Sequence, residues 1–339
     1  MDQLNPLATM GVGSYASPGW FVLFRNQIRE GKVGPDDIRE ALDDATRIAI
    51  RDQIEAGIDI LTDGELRRQR FVYEMFECIE GLERIVPGRK LGVPGYDMAP
   101  HFNVTGSIRT SQGFGLVEDF RALRKAAPGH TLKMAIPGPL TFALPLAAPK
   151  RDVGEVIEEI ANMVCNELEA LADAGASYVQ IDEPALPHPP LGISHTYASE
   201  LINRVVKSFP GRVAVHICFG NNAGRPMADR RLNRLMNAME MLECDQLVLE
   251  FANREMADVE LLGRLSEKFD IAAGVIDVKN FHLETTEEVA SRIRRCLDFV
   301  PVDKLSITSD CGFSALPRYL ARQKMQAMVA GARAVRETL

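Results

Sequence analysis

Short apolar runs alternate along the chain with longer segments whose apolar positions recur every three or four residues. The first pattern fits a strand buried in a parallel sheet, and the second fits an amphipathic helix. The strand-like runs are MGVGS, GIDILTDGE, TLKMAIPGP, SYVQIDEPAL, GRVAVHICFG, CDQLVLEFAN, IAAGVIDVKN and LSITSDCGF. Helices are predicted over Pro35–Ala56, Val153–Ala174, Ser199–Ser208, Ala228–Met241, Asp258–Phe269, Thr286–Phe299 and Ala321–Arg336. Strand ends then fall at Ser14, Asp63, Ile136, Asp182, Cys218, Glu250, Asp277 and Asp310, and from Asp182 onward they recur every 27 to 36 residues. That interval is about one βα unit. Eight such units predict an α/β protein of the (β/α)8 TIM-barrel type, built as a single domain over residues 1–339. An open doubly wound sheet is the runner-up, but no glycine-rich nucleotide fingerprint follows the first strand.

One segment breaks the period. Residues 76–129 are too long for one helix and hold both the turn-rich VPGRKLGVPGYD and the alternating run HFNVTGSIR. Alternation at period two predicts strands, so this segment reads as an excursion carrying a β-hairpin between the second and third barrel strands.

Composition narrows the class. The chain has 339 residues, 46% hydrophobic and 25% charged, with a net charge of −8. An acidic chain whose densest basic cluster is the short RRQR of Arg67–Arg70 is not expected to bind nucleic acid. No apolar run nears the ~20 residues that span a bilayer, and the N-terminus has no signal-peptide pattern, so the expectation is a cytoplasmic protein without membrane contact. Six cysteines without paired spacing do not form a disulfide framework. Cys78, Cys165, Cys244 and Cys296 read as buried thiols in helical segments, whereas Cys218 and Cys311 each end a strand-like run.

Polar residues at strand ends are where chemistry enters, because in a (β/α)8 barrel the C-terminal strand ends converge on one face. On a strand, residues i and i+2 share a side, so His216 and Cys218 present an imidazole and a thiol together. Glu250 and Cys311 stand at the ends of strands further along the chain, which the predicted ring brings round to the same face. One nitrogen, two sulfurs and a carboxylate suit tetrahedral zinc. Taken singly, each residue also fits a structural role: a hydrogen-bonded histidine, a glutamate paired with arginine, a buried thiol.

The motifs VGS, DGE, PGPLT, QIDEPAL, HIC, the glutamate of LVLEFAN, GVID and SDCG occur in the order of the cobalamin-independent methionine synthase family. The sequence resembles that family's C-terminal catalytic barrel over nearly its whole length, as a short single-barrel member. The resemblance implies that His216, Cys218, Glu250 and Cys311 bind zinc. It further implies that Gly13, Ser14, Glu65 and Asp182 hold homocysteine, with the two carboxylates facing the substrate ammonium. Glu65 has a competing structural role, as partner of Arg67, Arg68 or Arg70, and Glu183 shares the options of Asp182. Catalytic candidates are Asp277 and Lys279, where lysine replaces the family's proton-donating histidine. The tryptophan that helps hold folate is also absent, with Pro145 nearby. Both departures leave the methyl donor open: folate, a methylated corrinoid protein or another methylated compound.

The expected activity is therefore a zinc-dependent methyl transfer to a small-molecule thiol, homocysteine first, giving methionine. An alternative is a zinc-dependent alkyltransferase of the epoxyalkane:coenzyme M type, which would need arginines for a sulfonate. A metal-free ligand-binding barrel is the reading from a different class. The oligomeric state is not legible in the sequence.

Overall fold

The computed structural model describes residues 6–68, 75–85, 101–220 and 228–339. The turn-rich stretch VPGRKLGVPGYD and Arg70 lie outside these residues. In chain order the elements are α1 (Gly19–Arg29), α2 (Pro35–Ala56), β1 (Ile60–Leu61), β2 (Glu80–Ile85), β3 (His101–Arg109), α3 (Leu116–Ala126), β4 (Thr131–Leu132), β5 (Met134–Pro137), α4 (Pro139–Ala143), β6 (Leu146–Ala147) and α5 (Val153–Asp173). There follow β7 (Tyr178–Asp182), α6 (His195–Lys207), β8 (Arg212–Ile217), α7 (Met236–Met241), β9 (Gln246–Glu250), α8 (Leu262–Ser266), β10 (Asp270–Ile276), α9 (Thr286–Leu297), β11 (Leu305–Ser309) and α10 (Arg318–Arg336). The class is α/β, and the alternation is that of a (β/α)8 TIM barrel with a hairpin excursion after the second strand. No helix among the described residues is long and apolar enough to cross a membrane.

Contacts within the chain sort into two units, Met1–Gln69 with Asp119–Ala135 and Asp245–Leu339, and Arg70–Glu118 with Ile136–Cys244. In the first, β9, β10 and β11 run parallel, with Gly274 opposite Glu250 and Ala272 opposite Ser306. The first predicted strand is present only as bridges, Thr9 to Ile307 and Met10 to Ile60, while β1 pairs with β4. Ile271, Ala272, Ala273, Leu247 and Ile307 have no solvent exposure, which is why these strands read as continuous apolar runs. In the second unit β7 and β8 are parallel with Asp182 opposite His216. The antiparallel pair β2–β3 supplies the two strands of the predicted hairpin, and β3 pairs on with β6.

Local chemistry sets the helix ends. Pro35 opens α2 with Asp36 and Asp37 in its first turn, and Gly57 closes it at φ +83°. Thr285 and Glu288 exchange the two bonds of a capping box at the start of α9. Helix α6 begins at His195 rather than Ser199 because the Ser194 hydroxyl accepts from Tyr197 N–H. Two predicted helices are shorter than their periodicity suggests. The Asp258–Phe269 segment is a 3-10 turn followed by α8, entered through Glu255, Met256 and Asp258 at positive φ. Ala228–Met241 likewise contains a 3-10 turn at Leu232–Leu235 before α7. Cys78 is exposed in a 3-10 turn, and Cys244 is buried in a loop, not a helix.

Buried acids carry much of the loop structure. Glu167 of α5 accepts the backbone N–H groups of Phe114 at 2.7 Å and Leu116 at 2.9 Å, satisfying donors at the start of α3. A Cβ on Gly113 would lie 2.3 Å from Glu167 Oε2, so glycine is required there. Removing this carboxylate strands two buried donors, at a cost of about 1–3 kcal/mol each way it is counted. Glu167→Ala is expected to lower the unfolding free energy measured by urea titration by that order, and Glu167→Gln, which keeps one acceptor, to recover part of it.

Candidate metal centre and thiol site

The end of β8 is fixed by its partner strand. His216 and Cys218 are 4% and 2% exposed, and His216 Nδ1 lies 2.9 Å from Asp182 Oδ1. Gln180 Nε2 donates to the same oxygen at 2.7 Å. A carboxylate at Nδ1 favours the tautomer with its proton there, which leaves the lone pair on Nε2 as in a metal-ligating histidine. Asp182, expected to face a substrate ammonium, is thus also the residue that orients His216.

Glu183 does neither. Its carboxyl accepts from Leu140 N–H at 3.0 Å, Thr141 N–H at 3.1 Å and the Thr141 hydroxyl at 2.9 Å, in the first turn of α4. Burial pushes this carboxyl up to about 8. A Cβ on Gly138 would sit 2.1 Å from Glu183 Oε1, which explains the glycine of PGPLT.

In the other unit Glu250 ends β9 with no solvent exposure, and Lys279 Nζ lies 2.8 Å from its Oε2. Asp310, just before Cys311, accepts the N–H groups of Phe251, Ala252 and Asn253 at 2.8, 2.9 and 2.6 Å. This clamp ties the chain entering Cys311 to the chain leaving Glu250. Burial, with the Glu250 charge added, raises the Asp310 carboxyl well above the usual range. Gly274 makes room for it, since a Cβ there would meet Asp310 Oδ1 at 2.6 Å.

Of the expected substrate residues in this unit, Ser14 packs on the backbone that follows Cys311, and Gly13 packs on Glu65. Phe313 N–H donates to the Ser14 carbonyl at 2.8 Å, and a Cβ on Gly312 would overlap Ser14 Oγ. Tyr15 N–H donates to Gly64 O at 2.8 Å, and a Cβ on Gly13 would lie 2.3 Å from Glu65 Oε1. Glu65 itself sits at φ +56°, a strained conformation for glutamate that places its carboxylate on the Gly13 backbone. Arg68 Nη2 is 3.3 Å from Glu65 Oε1, so Glu65 does pair with an arginine of the RRQR cluster. Arg67 turns away to Asp119, at 2.9 Å, and to Asp43.

Among the described residues, His216, Cys218 and Cys311 are the group of histidine, cysteine and acidic side chains spaced to hold a metal, with donor atoms within 4.8 Å of one another. The catalytic domain model of cobalamin-independent synthase matches residues 7–334. The chain belongs to the cobalamin-independent synthase family, in its catalytic domain. Family relatives include the methionine synthase of Saccharolobus solfataricus, 32% identical over all of this chain and 98% of its own length. That of Sulfurisphaera tokodaii is 31% identical, over all of this chain and 95% of its own. Among solved structures, a B12-independent methionine synthase from Shewanella, in complex with selenomethionine, superposes with a TM-score of 0.83. It is 28% identical, over 98% of this chain and 99% of the other. A second, from Listeria monocytogenes, is 20% identical with a TM-score of 0.74 and shows the same fold.

Asp119 lies outside every motif, and the motifs that contain Asp63 and Asp310 do not tell what these two acids do. Asp119 is pushed up to about 7 by burial and by the neighbouring Asp63 charge. Both Asp63 oxygens are buried without a hydrogen-bond partner among the described residues. The sequence signal of Asp119 is an acidic residue set in an amphipathic helical segment.

A carboxyl whose folded pKa exceeds its unfolded value binds its proton more tightly when folded. Its contribution to stability is therefore full at low pH and is lost as pH rises through the folded value. For Glu183 the window runs from 4.5 to about 8. The unfolding free energy measured by urea titration is expected to fall between pH 5 and pH 8, and Glu183→Gln should flatten that slope by on the order of 1 kcal/mol per pH unit. Asp119 accounts for slope remaining below about 7.

Proposed function

We propose that the chain is a zinc-dependent S-methyltransferase that methylates homocysteine to methionine. The observation that carries this reading is the His216, Cys218 and Cys311 group within a chain that matches the family from end to end. Glu250 is the fourth proposed ligand. The donor set fits zinc: one imidazole oriented by a carboxylate, two thiolates and one carboxylate, all borderline-soft or charged. Bound zinc supplies positive charge that keeps a substrate thiol deprotonated near neutral pH.

Around it, this chain's own residues bind and orient. Gly13 and Ser14 offer backbone and hydroxyl groups beside Cys311, and the Glu65 carboxylate held at φ +56° faces the substrate ammonium. The methyl carbon passes from donor to sulfur by in-line displacement, the sulfur–carbon bond forming as the donor–carbon bond breaks, with inversion at that carbon. The electron pair of the broken bond leaves with the donor, and the product is uncharged at sulfur. Asp277 fixes the backbone of Lys279 through a 2.7 Å bond from Lys279 N–H, and Lys279 Nζ reaches the Glu250 carboxylate at 2.8 Å. The sulfonate-binding alternative loses its described cations, because Arg67 and Arg68 are both engaged by carboxylates.

Purified protein is expected to contain about one zinc per chain and to lose it in Cys311→Ser. With homocysteine and a panel of donors, methyltetrahydrofolate, a methylated corrinoid and simple methyl compounds, mass spectrometry should detect methionine with at least one. Zinc-free wild type, or zinc-loaded protein that forms methionine with none, overturns the reading. Two substitutions separate the carboxylates: Glu65→Gln should raise the KM for homocysteine tenfold or more with zinc retained. Asp182→Asn, through His216, should weaken zinc itself by about 10–100-fold.

A further inference from the structure

We infer that Lys279 is the second partner of the Glu250 carboxylate, the cation that keeps this glutamate when substrate sulfur takes its coordination position. The inference rests on the zinc reading above and concerns what makes one ligand of the four exchangeable.

Lys279 Nζ lies 2.8 Å from Glu250 Oε2, with the two side chains 6% and 0% exposed. A carboxylate with no solvent contact is costly unless a cation or donors compensate it. A ligand that left a metal at such a site would become an uncompensated buried charge. The ammonium removes that obstacle, because the glutamate has a partner whether or not it is bound to metal. With one oxygen on the ammonium, the carboxylate also donates less to a metal than it would alone, which makes it the weakest of the four ligands.

Both partners are held from behind, so the pair is not a surface accident. Lys279 N–H donates to Asp277 Oδ1 at 2.7 Å, and Asp277 N–H donates to Glu284 Oε1 at 2.9 Å. Lys324, with no solvent exposure, donates to the Asp277 carbonyl at 2.7 Å and to Glu284 Oε2 at 2.8 Å, and it also bonds the His282 carbonyl. Arg292 adds a bond to Val275 O at 2.8 Å. The 277–284 loop is therefore built around a buried Lys324–Glu284 pair and presents Lys279 to β9 in one place. On the opposite side the Asp310 clamp fixes residues 251–253, immediately after Glu250.

Lys279→Met, which keeps the length of the side chain without its charge, tests this. Zinc affinity is measured on the resting protein by competition with a chromophoric chelator, and the ligand set by zinc X-ray absorption with and without homocysteine. Wild type should exchange one oxygen neighbour for sulfur when homocysteine is added. Lys279→Met should bind zinc about tenfold more tightly, keep the oxygen neighbour, and bind homocysteine more weakly. In a Glu250→Gln background the substitution at 279 should lose its effect on zinc affinity. Lys279→Gln serves where the methionine variant does not fold. Unchanged or weaker zinc binding, with sulfur exchange as in wild type, overturns the inference and leaves the zinc reading standing. Absence of zinc from the wild type overturns the reading beneath it.

Discussion

A carboxylate removed from water must find donors or a cation, and that constraint organises this protein at nearly every strand end. Asp310 holds three successive backbone N–H groups, Glu183 holds two and a hydroxyl, and Glu167 holds two. Glu284 takes Lys324, Glu250 takes Lys279, and Asp182 takes Gln180 and His216. Each pairing also fixes a piece of irregular backbone, so loops that would otherwise stray are set by the same bonds that make burial tolerable.

The acids divide by what compensates them. Those met by backbone N–H groups, Asp310, Glu183 and Glu167, are committed to architecture, and burial raises all three carboxyls. Those met by side chains that can turn to another partner, Asp182, Glu65 and Glu250, are the ones proposed here for substrate and metal. Adjacent residues fall on opposite sides of this division: Asp182 faces His216 while Glu183 is spent on the PGPLT turn, and Asp310 anchors a loop while Cys311 is a candidate ligand.

The glycines mark the same sites from the other direction. Gly13, Gly138, Gly274 and Gly312 each leave room for a polar side chain that a Cβ would strike: Glu65, Glu183, Asp310 and Ser14. In the sequence these are simply the glycines of VGS, PGPLT, AAGV and DCG. Only packing shows that each one admits a particular carboxylate or hydroxyl.

Periodicity alone determined the alternation of strands and helices, because a strand buried on both faces must be apolar throughout and a helix on its flank must be amphipathic. It also determined that His216 and Cys218 share a side, since the pleat has period two, and the motif order carried the family. It placed α2 at Pro35–Ala56 because proline, acids and glycine mark its two ends. The short helices near Leu235 and Leu262 were not legible, because their apolar spacing does not record the positive-φ turns and 3-10 geometry that interrupt it. Nor could spacing tell which of two neighbouring acids binds and which builds. That choice depends on donors supplied by residues 40 to 60 positions away, such as Leu140 for Glu183 and Phe251 for Asp310. It was decided only when the chain folded and those donors lost water as their alternative partner.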